Sequence, residues 1–152
     1  MGKAKILILE ATLIGRRRGL FLAVSLRRQG NEVYYLTNVL QTRKLYLKPR
    51  STSEGVFIIE VPNPLRRLPR RGILMRGLIH VVNSLVFLWA ILKNMRIFRN
   101  IDVIITGDPT HTPPIARIPA LLLKKITGAL LFVDVREPLG EDIAAFTSSR
   151  FW

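Results

Sequence analysis

The chain of 152 residues contains no cysteine. That excludes a disulfide scaffold and any thiolate metal site, and it permits a reducing, cytoplasmic setting. Histidine occurs only twice, as His80 and His111, and no cluster of Asp, Glu or His has ligand spacing, so no metal is implied. Acid is scarce as well: 10 Asp and Glu stand against 24 Lys and Arg, a net charge of +14. Internal repeats, low-complexity tracts and recognised nucleic-acid motifs are all missing. Apart from Tyr46 the basic clusters lack interleaved aromatics, which disfavours nucleic acid as the partner despite the charge.

Uncharged runs are short too. Ile6 to Leu9 is too brief for a signal peptide and reads as a first strand. Gly77 to Leu92 carries no formal charge but includes His80, Asn83 and Ser84, falling short of the roughly 20 apolar residues of a spanning helix.

What is present is a folding composition, 49% hydrophobic and 22% charged, of a length suited to one domain. Its positive charge gathers in Arg16-Arg17-Arg18, Arg27-Arg28, Arg43 to Arg50, and Arg66-Arg67 with Arg70-Arg71. Such clustering points to an anionic partner: a phosphorylated substrate or an anionic membrane surface.

Apolar runs alternate with helical stretches along the chain. Strands are expected at Lys5 to Glu10, Glu32 to Thr37, Val56 to Val61, Val103 to Thr106 and Leu130 to Val135. Helices are expected at Leu20 to Gln29, capped by Gly30, as one element from Ile73 to Arg99, at Ile115 to Thr127, capped by Gly128, and from Gly140 to about Thr147. Val39 to Gly55 reads as basic and irregular. This alternation implies right-handed βαβ units and a Rossmann-like, doubly wound parallel α/β sheet with strand order 3-2-1-4-5. Ligands of such sheets bind beyond the carboxyl ends of the strands, where the order reverses. Here that is the rim formed by residues 10–19 and 107–114, with Arg136 and Glu137 one strand further along.

Several segments together resemble the N-terminal, acceptor-side domain of family-4 glycosyltransferases of the GT-B fold. They are "KILILE" with "LFLAVSLRRQGNEVYYLT", the strand "IDVII", the helix end Lys125-Ile126-Thr127-Gly128, and "DVREPLGE" over Asp134 to Glu141. The resemblance runs from about Lys3 to Phe146, with Asn31 where the family has histidine, Glu137 where it has aspartate, and Leu139-Gly140 in place of Trp-Pro. It implies a retaining transfer from a nucleotide-sugar donor to a lipid-linked or glycan acceptor, with no further cofactor. The family's donor-binding half, with its Glu-x7-Glu motif, has no counterpart here, since no two glutamates lie eight apart. Either the sequence is a fragment or the donor half comes from a separate donor-domain chain as partner, and the isolated chain is expected to be inactive.

The residues expected at the site follow from rim position and resemblance together. His111 and Glu137 take the catalytic positions, in proton transfer and in orienting an acceptor hydroxyl. Gly15, Arg16, Arg17, Arg18, Gly19, Asp108, Thr110 and Arg136 are expected to hold substrate and diphosphate through guanidinium forks and backbone amides. Asp134, near the end of an apolar strand, needs a partner or a functional reason: a structural pair with Arg136, two residues along the strand, or a catalytic role. Leu85, Phe87, Leu88, Trp89 and Leu92, with a basic flank that includes Arg66, Arg67, Arg70 and Arg71 before them and Lys93 to Arg99 after, are expected to meet a membrane, placing the protein peripherally at the cytoplasmic face. A helix buried in the core is the alternative reading of the same run. Two other readings follow from the same features: a non-catalytic membrane recruiter for a donor-binding chain, and, less favoured, a basic nucleic-acid-binding α/β domain.

Overall fold

A computed structural model describes residues 3–10, 18–38, 48–62, 73–108 and 116–135. Six strands form one sheet: β1 (Lys5–Glu10), β2 (Glu32–Asn38), β3 (Arg50–Ser51), β4 (Phe57–Val61), β5 (Val103–Asp108) and β6 (Leu130–Val135). Four helices accompany them: α1 (Arg18–Arg28), α2 (Ile73–Lys93), α3 (Met95–Phe98) and α4 (Arg117–Thr127). The order across the sheet is β3-β4-β2-β1-β5-β6, parallel throughout except for β3. This is the Rossmann-like order expected from the sequence, with one antiparallel strand added at an edge.

The strand β1 is central because it pairs on both sides, Leu7 with Tyr34 of β2 and with Ile104 of β5. Ile6 to Glu10 are all buried, which explains why the strand reads as a continuous apolar run and not as an alternating one. Alternation still decides which side chain goes where. Leu7, Leu9, Leu36, Ile59, Val61 and Ile104 face one side, where they pack with Phe87, Ala90 and Ile91 of α2 and with Ala120 and Leu123 of α4. Ile6, Ile8, Val33 and Tyr35 face the other, under Ala23 of α1.

The structure corrects the sequence reading in several places. Within the stretch expected to be irregular, Arg50–Ser51 pairs antiparallel with β4. A tight hairpin makes this pairing: Thr52 and Val56 are bonded across it, and Gly55 sits at φ +75, where glycine alone is unstrained. The expected single helix from Ile73 to Arg99 is two, broken at Asn94. Its side-chain amide donates to the Ala90 carbonyl at 2.8 Å, in competition with the helical backbone, and its own backbone leaves helical geometry at ψ 17. β5 runs two residues past Thr106. Asp134, near the end of an apolar strand, is exposed on the edge strand β6. Arg136 and the expected helix from Gly140 to Thr147 lie outside the described residues.

The two glycine caps hold. Gly30 and Gly128 both adopt positive φ, and the Gly128 amide closes α4 onto Lys124. No helix is long and apolar enough to cross a membrane among the described residues.

Packing on the two sides of α2 gives a direct check. Phe87 is fully buried against the sheet, whereas Leu85 faces outward. Phe87→Ala is expected to lower the unfolding free energy by about 3–5 kcal/mol, and Leu85→Ala by about 0.5 kcal/mol or less. Urea denaturation of both variants measures the difference; equal losses would mean that α2 packs in another rotation.

Candidate functional site

The order of strands reverses between β1, whose chain continues to β2 on one side, and β5, which leads to β6 on the other. At that point three residues stand in one row across the sheet: Glu10 of β1 opposite Gly107 of β5, and Gly107 opposite Asp134 of β6. Residues in register across a sheet point to the same face. Glycine in the middle of the row contributes no side chain, so a gap opens between two carboxyl-bearing residues about 10 Å apart, two strand spacings. A cleft of about 220 Å³ occupies the gap, floored by Ile8 and Ile105 and walled by Gly19 and Leu22 of α1.

Glu10 is 1% exposed, and an ionised carboxylate so deeply buried needs donors. The Gly19 amide, in the first turn of α1, donates to its Oε2 at 2.9 Å, and the Tyr35 hydroxyl donates to the same atom at 2.5 Å. A carboxylate at a helix N-terminus is also favoured by the exposed amides and the helix dipole. One buried side chain thereby ties β1, β2 and α1 together beside the cleft.

This arrangement explains Gly19 differently from the sequence reading. A Cβ built there would lie 2.4 Å from Glu10 Oε2 and 2.8 Å from Tyr35 Cε2. The close approach that glycine permits is that of the Glu10 carboxylate, and the amide expected to meet a phosphate donates to Glu10.

Among the other expected residues, Arg18 opens α1 and Asp108 ends β5, both at the rim. Gly15, Arg16, Arg17, Thr110, His111, Arg136 and Glu137 lie outside the described residues, as do Arg66, Arg67, Arg70 and Arg71. Trp89 is far along α2, half exposed, with the Lys93 ammonium 5.0 Å from its ring centroid. His80, the other histidine, is half-buried in the same helix. No group of three potential ligands gathers for a metal among the described residues.

Sequence reasoning found the rim but not the row. Glu10 and Gly107 entered only as loop boundaries, and Asp134 as a partner for Arg136 or a catalytic candidate. The available signal was an acid at or near the end of each of two apolar runs at the switch point, with a glycine near the end of the strand between them.

On the opposite face, toward the same end of the sheet, Asn38 and Thr106 are buried, and Asn83 of α2 is buried on that side too. Their side-chain polar atoms find no hydrogen-bond partner among the described residues. Each such atom costs about 1–3 kcal/mol unless water reaches it.

Compared with known proteins, the chain matches no family model and no curated protein.

The Glu10–Gly19 contact predicts non-additive stability. Gly19→Ala is expected to cost about 1–3 kcal/mol through overpacking, and Glu10→Ala about 2–4 kcal/mol through the unpaired Tyr35 hydroxyl and Gly19 amide. Because Glu10→Ala also removes the atom that the new methyl meets, the double variant should cost less than the sum, with a coupling of about 1–2 kcal/mol. Denaturant titration of the four proteins closes this cycle, and strict additivity would show that the two residues do not touch.

Proposed function

We propose that this chain is the acceptor-side domain of a retaining glycosyltransferase that uses a nucleotide-sugar donor and is incomplete without a donor-binding half. The observation that carries the reading is the cleft at the switch point, with Glu10 and Asp134 on either side of Gly107. Carboxylates accept hydrogen bonds, and a small cleft with carboxylate on its walls suits the hydroxyls of a sugar or glycan better than it suits a phosphate. That is the chemistry an acceptor site needs. Asp134 is an exposed residue of the cleft wall, and Glu10, held by Gly19 and Tyr35, acts as a positioning residue for the α1 end of the cleft. The resemblance over Lys3 to Phe146 supports the same assignment, and it draws Arg16, Arg17, His111 and Glu137 to the rim by their place in the chain.

In this mechanism the cleft orients an acceptor hydroxyl toward the anomeric carbon of a donor held by the second half. Arginine forks and amides of the rim loops stabilise the departing diphosphate. Preorganising two reactants in this way supplies much of the rate, which is why one half alone should give no turnover. The acid-lined cleft also argues against the nucleic-acid reading, since phosphates are repelled there.

The test is a nuclear magnetic resonance titration of the 15N-labelled chain with methyl α-glucoside and methyl α-mannoside as acceptor mimics, and with UDP-glucose and GDP-mannose as donors. An acceptor mimic is expected to shift the amides of Gly19, Gly107 and Asp134, and Gly107→Val, which fills the row, should abolish those shifts. Sugar release from either donor by the chain alone should stay at the uncatalysed level. Shifts confined to other surfaces, or turnover without a second domain, would overturn the assignment.

A further inference from the structure

The helices α2 and α4 pack on the same sheet face through one core cluster, so their outer faces open in the same direction. On α2 the outward row is Leu74, Leu78, Val81, Leu85, Trp89 and Leu92, every one exposed. These positions recur at three- and four-residue intervals, the spacing of a single stripe along a helix. Their inward counterparts, Ile79, Asn83, Phe87, Ala90 and Ile91, meet the sheet. The outward row of α4 adds Ile118, Leu121 and Leu122, again exposed. A contiguous apolar surface on this scale marks an interaction site.

Charge selects the partner. α2, α3 and α4 contain no Asp or Glu, and among the described side chains of these helices the exposed charges are Lys93, Arg96, Lys124 and Lys125. A second copy docking through this face would bring like charges together, whereas an anionic surface complements all of them. Below the end of the stripe, at the edge of the sheet opposite the candidate cleft, a depression of about 550 Å³ is lined by Lys48, Lys93 and Arg96 with Tyr34 and Phe57. Lys93 belongs to both features, extending over the Trp89 ring on one side and lining the depression on the other. The acid beside Tyr34, Glu32, is engaged by the Tyr34 hydroxyl at 2.5 Å and by Lys5 at 3.8 Å.

From these features we infer that the α2–α4 face docks flat on an anionic lipid bilayer. The apolar row enters the headgroup–acyl boundary, and the cationic depression receives a lipid phosphate. An aromatic ring and a cation beside an apolar stripe form the pairing suited to a bilayer interface. The helix lies on the membrane and does not cross it, because its inner side stays packed on the sheet. The sequence expectation places the apolar run around Trp89, between its basic flanks, at the membrane; the structure turns Phe87 of that run inward and adds α4 with its two lysines to the face, while the arginine loop lies outside the described residues. This inference is independent of the sugar-transfer reading, since vesicle binding requires neither donor nor acceptor.

The test is flotation of the full chain with vesicles of phosphatidylcholine alone and of phosphatidylcholine with 30% phosphatidylglycerol, a composition set by the experiment at about one anionic lipid in three. Co-flotation is expected only with the anionic vesicles and should weaken as salt rises. Lys93→Glu with Lys124→Glu and Lys125→Glu is expected to reduce the affinity at least about tenfold. Leu78→Ser with Leu85→Ser should reduce it by a similar factor, with circular dichroism confirming that both variants stay folded. In a Trp152→Phe background Trp89 is the sole tryptophan, and its emission should move to the blue on adding anionic vesicles. Three results would overturn the inference. One is the absence of co-flotation; another is vesicle binding with unchanged Trp89 emission. The third is a dimer in light scattering that Leu85→Ser disperses, which would assign the face to a second copy.

Discussion

A buried carboxylate at the end of the central strand is the constraint on which the rest of this structure turns. β1 is the only strand shared by the two halves of the described sheet, and it ends in Glu10 with almost no solvent contact. An acid in that position is tolerable only if its oxygens are met, and the donors come from two other elements, the hydroxyl of Tyr35 on β2 and the amide of Gly19 on α1. The first turn of α1 is therefore fixed against the sheet at the point where the strand order reverses. An apolar residue at position 10 would remove the acceptor that the Gly19 amide and the Tyr35 hydroxyl share, and a larger residue at position 19 would collide with the acid. The cleft beside them inherits its α1 wall from this contact and its width from Gly107.

Much of the fold was legible in the sequence because parallel strands buried on both faces carry continuous apolar runs. β1 and β6 have the bounds that the sequence predicts, and right-handed crossovers then order the strands. What escaped has physical reasons. Arg50–Ser51 is a strand only because the Gly55 turn returns the chain onto β4, and two polar residues show no periodicity. The break at Asn94 depends on one side-chain amide competing for the Ala90 carbonyl, a weak signal inside a strongly apolar helix.

The site was legible to the level of a rim and no finer. That ligands meet such sheets at the switch point follows from topology, which the sequence conveys. That Glu10, Gly107 and Asp134 share a row follows from register between strands 97 and 27 residues apart (Glu10 to Gly107, Gly107 to Asp134), which no local pattern encodes. The outer face of α4 was hidden for another reason. Its segment "RIPALLLKKIT" holds three leucines in succession, Leu121 to Leu123, so that run alone does not say whether Leu121 or Leu123 faces the core. Only the sheet beneath settles that Leu123 is buried and Leu121 is not.

The separation of charge along the strand axis gives the two proposals a common geometry. Acid lines the cleft at the carboxyl ends of the strands, while Lys48, Lys93 and Arg96 line the depression at their amino ends. α2 follows β4 and precedes β5, so it runs antiparallel to the strands and spans the distance between those two ends. A domain lying on its α2–α4 face holds that axis parallel to the membrane plane. The cleft then opens sideways, along the surface and not away from it. An acceptor anchored in the same bilayer would approach such a cleft from its own plane, held near the rim without a long linker, and the gain in local concentration would be purely geometric. In that arrangement net positive charge would draw the chain to an anionic surface at long range, while the acid of the proposed acceptor cleft would disfavour lipid phosphates there.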